Sequence, residues 1–146
     1  MKRLLLYVHF NKYDHISRHV FYQLEHMRPL FDKLVFISNS RLSESEVQKL
    51  RDKHLIDDFI QRENKGYDFA AWHDGMEFVG FDNLKQYDSV TVMNDTCFGP
   101  LWDMAPIYDK YESNPNVDFW GMTNHQGIKA GDIYIHEHLQ SYFISF

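Results

Sequence analysis

The sequence predicts an α/β domain, a mostly parallel sheet with helices on both faces. Three observations carry that prediction. Short apolar runs alternate with stretches of helical spacing along most of the chain, which is the pattern of strand, helix and strand packed as units. The runs at residues 4–10 and 33–38 are largely apolar on both alternate sets of positions, and in 88–93 Val90, Val92 and Met93 need cover on both faces. Each run then stops at a cluster of Asn, Asp, Ser or Thr, and in an open α/β sheet ligands bind at the carboxyl ends of strands.

Taken in order, residues 4–10 form a first strand closed by Asn11, Lys12 and Asp14. Its basic and apolar start, MKRLLLYVHF, has too short an apolar run and no small-residue cleavage site, so it is not a signal peptide. Apolar residues then fall at Ile16, Val20, Leu24 and Met27, flanked by Phe21 and Leu30, a helical face that ends at Pro29. Residues 33–38 (KLVFIS) repeat the strand signal and break at Asn39 and Ser40. Ser43, three residues before Glu46, has capping-box spacing and opens a second helix. Phe59 and Ile60 mark a short third strand. From Tyr67, the residues Phe69, Trp72, Met76 and Val79 recur at helical intervals, and Gly80 stops that helix. Residues 88–93 are the fourth strand, 102–111 a helix entered through a proline, and 117–122 (VDFWGM) the fifth strand. Residues 124–131 read as a loop, and the β-branched and aromatic end predicts one or two last strands.

The 146 residues, 44% hydrophobic and 25% charged, fit a single domain, 1–146, with an ordinary core. A net charge of -6 without a basic block argues against a nucleic-acid partner. No window approaches the roughly 20 apolar residues that span a bilayer. The single cysteine, Cys97, allows no internal disulfide and fits a reducing, cytoplasmic setting. The chain finishes on an apolar segment, 142–146, without a closing turn, the pattern of a domain truncated from a larger protein.

Two stretches concentrate the chemistry, RENKGYDFAAWHDG (62–75) and DSVTVMNDTCFGPLWD (88–103). Asn94 and Asp95 follow a buried strand, where an amide oxygen and a carboxylate suit magnesium or manganese and a diphosphate. The alternative is an Asx-turn that only closes the strand. Asn64, Gly66 and Asp68 sit where the third strand becomes a helix, whose unpaired N–H groups attract anions. Gly66 allows a close backbone approach, Asp68 suits a base or sugar hydroxyl, and Tyr67 suits stacking; the alternative is an ordinary helix start. His136 and His138 would share a strand face, without a third ligand at matching spacing. His73 and His125 lie near the proposed site as loose acid or base candidates. Cys97, lacking a histidine neighbour, reads as a packing residue. The glycine motifs of dinucleotide enzymes and P-loop NTPases and the elbow of serine hydrolases are absent.

KRLLLYVHFNKYDHIS, the FISNS strand end, RENKGYDFAAWHDG, VTVMNDTCFGPL, DFWGMTN and HLQSYFISF, in that order, resemble the rhamnan synthesis protein F family. The resemblance implies a glycosyltransferase A-type, Rossmann-like fold that binds a nucleotide sugar. It implies an inverting rhamnosyltransferase that moves rhamnose from dTDP-rhamnose to a growing cell-surface polysaccharide of rhamnan or O-antigen type. Carried onto this chain, Asn39 and Ser40 lie by the nucleotide base, Asn64, Gly66 and Asp68 face the nucleotide, with Tyr67 beside them, and Asn94, Asp95 and Thr96 take the place of a metal-binding Asp-x-Asp. Only one carboxylate remains there, so Asp95 is the metal candidate, for magnesium or manganese. Asp118, Trp120, Thr123 and Asn124 border the acceptor side. The catalytic base of similar transferases lies after the last strand, beyond Phe146. The implied acceptor is a glycan, lipid-linked where it meets the inner face of the cell membrane. A non-catalytic glycan-binding or assembly domain of the same fold is the alternative function.

Overall fold

A computed structural model describes all 146 residues. The strands are β1 (Arg3–His9), β2 (Lys33–Ser38), β3 (Asp58–Gln61), β4 (Ser89–Asn94), β5 (Trp120–Gly121), β6 (Asn124–His125), β7 (Ile128–Ala130), β8 (Ile133–Ile135), β9 (His138–Leu139) and β10 (Phe143–Ser145). The helices are α1 (Arg18–Met27), α2 (Glu44–Asp52), α3 (Tyr67–Val79), α4 (Phe81–Leu84) and α5 (Ala105–Glu112). Six strands form the main sheet in the order β3-β2-β1-β4-β10-β5, the first four parallel and β10 antiparallel to both neighbours.

The alternation of side chains along β1 divides the core in two. Leu5 and Tyr7 face the layer holding Val20, Leu24, Val47, Leu50 and Tyr108, supplied by α1, α2 and α5. Leu4, Leu6 and Val8 face Ala71 and Trp72 of α3. Helices therefore cover both faces, as predicted. Val35, Ile37, Val90 and Val92 complete the α3 side, while β4 turns Ser89, Thr91 and Met93 to the other face, where Thr91 bonds to Tyr108 and Ser145.

The local elements differ from expectation where packing overrides pattern. Phe69, placed by periodicity on the buried face of α3, is exposed, and the helix instead presents Ala71, Trp72 and Gly75 to the sheet. Gly75 lets α3 lie close: a Cβ there would stand 2.5 Å from Ile37 Cδ1. The fifth strand shrinks to Trp120–Gly121, because Trp120 is the buried residue of VDFWGM while Phe119 stays exposed. The predicted loop 124–131 holds β6 and β7. β7 pairs with β8 as a hairpin outside the main sheet, and β6 pairs with β9. Ile16 is buried ahead of α1 rather than within it, and α5 starts at Ala105 rather than at Trp102. No helix is long and apolar enough to cross a membrane.

Candidate functional site

The parallel strands β1, β2, β3 and β4 end together at His9, Ser38, Gln61 and Asn94. Chain order runs outward from β1 through β2 to β3, then returns to place β4 on the other side of β1. This reversal makes the β1/β4 carboxyl edge a topological switch point, where such sheets open a crevice for ligands. Asp95 sits on that edge. Its Oδ2 accepts the Phe10 N–H at 3.0 Å, just beyond β1, and its carbonyl accepts from His19 Nε2 at 2.8 Å. Burial pushes the Asp95 carboxyl up to about 6; the Phe10 and Asp95 N–H groups and nearby His19 only partly oppose this, and the Asp68 charge adds to it.

Asn94, buried at the tip of β4, joins Asp95 to α3. Its Nδ2 donates to Asp68 Oδ2 at 2.7 Å, and its Oδ1 accepts from Thr96 N at 3.1 Å and Thr96 Oγ1 at 2.7 Å. The two stretches singled out in the sequence thus meet through one amide. The start of α3 is set by two consecutive left-handed residues, Gly66 at φ 71° and Tyr67 at φ 52°. A Cβ on Gly66 would approach Ala70 Cβ to 2.5 Å, so glycine is required there for space as well as for φ. Gly66 brings no side-chain cap, and the first N–H groups of α3 are left to a ligand or water. Tyr67 is 80% exposed and held in a conformation costing a non-glycine residue about 1 kcal/mol or more.

Beyond the ends of β2 and β3 lies a wholly polar cavity of about 590 Å³ that includes Asn39, Arg41, Gln61, Arg62, Asn64 and Lys65 in its lining. Arg62 organises it. Its Nε donates to Asp74 Oδ2 at 2.7 Å, its Nη1 to Asn39 Oδ1 at 2.7 Å, and its Nη2 to the Lys65 carbonyl at 3.1 Å, tying β2, the loop and α3 together. The Arg62 hydrogen bond and charge hold the Asp74 carboxyl below its usual range. Sequence reading passed over Arg62; its position directly after β3, at the same edge as Asn39 and Asn94, was the available signal. Ser40 turns inward instead: its Oγ accepts the Asn11 N–H at 2.6 Å and donates to the Asn11 carbonyl at 2.9 Å, so it ties the loops after β1 and β2. It does not line the polar cavity, whereas Asn39 does.

The four acceptor-side candidates do not stay together. Trp120 lies in the core, edge-on to Tyr108 at 4.9 Å and stacked on Tyr111 at 5.0 Å. Asp118 borders a hollow with Ser89, the first residue of β4, at the opposite edge of the sheet from Asn94. Thr123 and Asn124 follow β5 toward the carboxyl edge. Thr123 Oγ1 accepts from Tyr142 at 2.9 Å and bonds to Gln140, and Asn124 bonds to Glu137. Next to them, a cavity of about 630 Å³ between Phe69, Asn94, Thr96, Gln140 and Tyr142 adjoins the crevice. A second, apolar cavity of about 280 Å³ lies among Met93, Cys97, Trp102, Met104 and Phe143, and also reaches Asn94.

The histidines are placed more plainly than the sequence allowed. His136 lies between β8 and β9, outside any strand, so it shares no strand face with His138. His138 instead stacks on His125 across β6 and β9 at 5.0 Å. His125 Nδ1 accepts the Gly127 N–H at 3.0 Å, so the neutral ring carries its proton on Nε2 and offers a metal no lone pair there. His73, Asp74 and Glu77 bring ligand atoms within 4.8 Å of one another on α3, but Asp74 is already held by Arg62. His9 is fully buried, its Nδ1 3.0 Å from Ser38 Oγ and its ring stacked on Phe36. Burial lowers it to about 4, so it is neutral in the core.

Polar residues converge on the carboxyl edge of this open α/β domain at a switch point, the place where sheets of this class bind ligands. Its family follows from sequence comparison: the family described as rhamnan synthesis protein F matches residues 34–146, and the chain belongs to it. Virulence protein VirA of Vibrio anguillarum is 32% identical over 114 residues, covering 77% of this chain and 32% of that protein. The uncharacterized protein y4gN of Sinorhizobium fredii is 30% identical over 128 residues, covering 87% of this chain and 31% of its own length. The chain thus spans about a third of the length of these curated relatives. No solved structure matches it.

Proposed function

We propose that the intact protein is an inverting glycosyltransferase that moves rhamnose from dTDP-rhamnose to a growing cell-surface polysaccharide of rhamnan or O-antigen type. Residues 1–146 act as one nucleotide-sugar-binding domain of the glycosyltransferase A type. The observation that carries this reading is the convergence of Asp68, Asn94 and Asp95 at the switch point in a chain of this family. The uncapped start of α3 and exposed Tyr67 support nucleotide binding there, with Asn64 and Asn39 at the neighbouring polar cavity. The acceptor is a glycan, carried on lipid at the inner face of the cell membrane, and Thr123 and Asn124 stand on its side of the crevice. The setting is cytoplasmic.

In an inverting transfer the acceptor oxygen bonds to the anomeric carbon as the bond to the diphosphate oxygen breaks, and the acceptor proton passes to a base. Binding and orienting the donor supply much of the rate, and fixed dipoles aimed at the departing diphosphate supply more. The N–H groups at the start of α3 are such dipoles. Asn94 is a poor metal ligand, because both lone pairs of its oxygen are engaged by Thr96. Asp95 and Asp68 retain hard oxygen donors of the kind magnesium or manganese binds together with phosphate and water. An ion held by them would neutralise charge on the leaving diphosphate.

Calorimetric titration with dTDP-rhamnose, with and without manganese, tests the reading. Saturable heat that falls at least tenfold in affinity on Asp95→Ala is expected. Folded protein giving no heat with either dTDP or dTDP-rhamnose refutes it. The exposed aromatics Phe98 and Trp102 beside the apolar cavity favour a second reading, a non-catalytic glycan-binding or assembly domain. Rhamnan binding without any affinity for the nucleotide sugar decides for it.

A further inference from the structure

We infer that Asn94 is a positioning residue whose amide holds the Asp68 carboxylate at the switch-point crevice, so that the second carboxylate missing from the Asn-Asp pair is supplied in space by α3. This inference rests on the nucleotide-sugar reading of the crevice. Its basis is the complete commitment of one buried amide. The Thr96 backbone N–H can only donate, so the Asn94 atom facing it is the oxygen, and the nitrogen must face Asp68. The Thr96 hydroxyl donates to the same oxygen at 2.7 Å and locks the orientation. Asn94 is 5% exposed, so the arrangement is set within the protein rather than by solvent.

Asp68 Oδ2 accepts the amide, while its Oδ1 makes no hydrogen bond within the protein. That leaves one oxygen of a half-buried carboxylate, in the first turn of α3, to meet a ligand. The chemistry it fits is the ribose hydroxyls or the metal-bound diphosphate of a nucleotide sugar, since an ionised carboxylate accepts and cannot donate. Asp95 directly follows Asn94 at the end of β4, close enough for its charge and that of Asp68 to interact. An aspartate at position 94 would put a third carboxylate between them and remove the donor. Asparagine is the residue that satisfies Asp68 and Thr96 at once.

The test is calorimetry with dTDP-rhamnose on Asn94→Ala, Asp68→Ala, the double variant, Asn94→Asp, and the swap Asn94→Asp with Asp68→Asn. Each alanine variant is expected to weaken binding roughly tenfold or more, as losing one charge-assisted contact does. The double variant should be no weaker than Asp68→Ala, because Asn94 acts through Asp68. Asn94→Asp should bind at least as poorly as Asn94→Ala. The swap restores a donor and acceptor pair with the roles exchanged, so it should recover thermal stability but not affinity. Additive losses in the double variant overturn the inference, as does tighter binding by Asn94→Asp, which would make position 94 a metal ligand. A ligand-free measurement separates this from the functional reading: in wild type the buried, hydrogen-bonded Asn94 side-chain amide protons should exchange slowly with water, and Asp68→Ala should speed them. Unchanged exchange rejects the Asn94 role, whereas its acceleration in a protein that binds no nucleotide sugar rejects the proposed function and keeps the hydrogen bond.

Discussion

Asp95→Asn keeps an oxygen for the Phe10 N–H and removes the charge, so it isolates what ionising this carboxyl costs the fold. The ordinary value is 3.8 and the folded value about 6, raised chiefly by burial. The native state therefore holds a proton that the unfolded chain has released between those values, and wild-type stability declines as pH rises through the window. Linkage gives about 3 kcal/mol of lost stability at pH 7.5 and about 1 kcal/mol at pH 4.5. Solvent reaching this partly buried group lowers the first figure to about 1–2 kcal/mol. Asp95→Asn should thus be more stable than wild type at pH 7.5, with a melting temperature several degrees higher, and the advantage should shrink toward pH 4.5. Urea unfolding at pH 4.5, 6.0 and 7.5 measures it. The same variant should bind dTDP-rhamnose more weakly, the usual pairing of gained stability with lost function where a buried charge is kept for binding. A variant less stable than wild type at pH 7.5, or a stability difference independent of pH, refutes the reasoning.

His9 carries the opposite sign. Its folded value of about 4 lies below the ordinary 6.5, so its stability is complete above pH 6.5 and is lost as pH falls toward 4. His9→Asn, which can keep a hydrogen bond to Ser38, should flatten that acid limb in urea midpoints; an unchanged slope assigns the limb elsewhere. Arg62→Ala should cost about 2 kcal/mol in urea unfolding, mostly from the buried Asn39 oxygen left without a donor, since the pair with half-exposed Asp74 adds little. Arg62→Lys should recover less than half, lacking the guanidinium fork. Trp120→Ala should cost about 3–5 kcal/mol, the loss expected of a large core aromatic. A thermal melt unchanged by that substitution would return Trp120 to a surface role.

The sequence by itself determined the layered α/β domain. Residues 4–8 and 34–37 have no polar alternate set, which leaves them only the middle of a covered sheet, and Ser43 marks a helix start by accepting the Glu46 N–H, although the Glu46 carboxylate turns to the Ile16 N–H and Lys49 instead of closing the capping box. It also marked the carboxyl-edge residues, because Asn and Asp after a buried strand stand out whatever they later contact. Tertiary structure decided which of them meet. Asn94 and Asp68 are 26 residues apart, and their contact follows from how α3 lies on β1 and β2, a register set partly by Gly75 rather than by any motif. Short strands were the least legible, since two or three residues carry too few alternations to define a face. So Trp120 looked available until Tyr108, Tyr111 and Phe143 closed around it. The direction of β10 was hidden for the same reason. Hydrophobic pattern fixes that a strand is buried, while its orientation depends on the path of the chain between β5 and β10, where the small pairs β6 with β9 and β7 with β8 bring it back antiparallel beside β4.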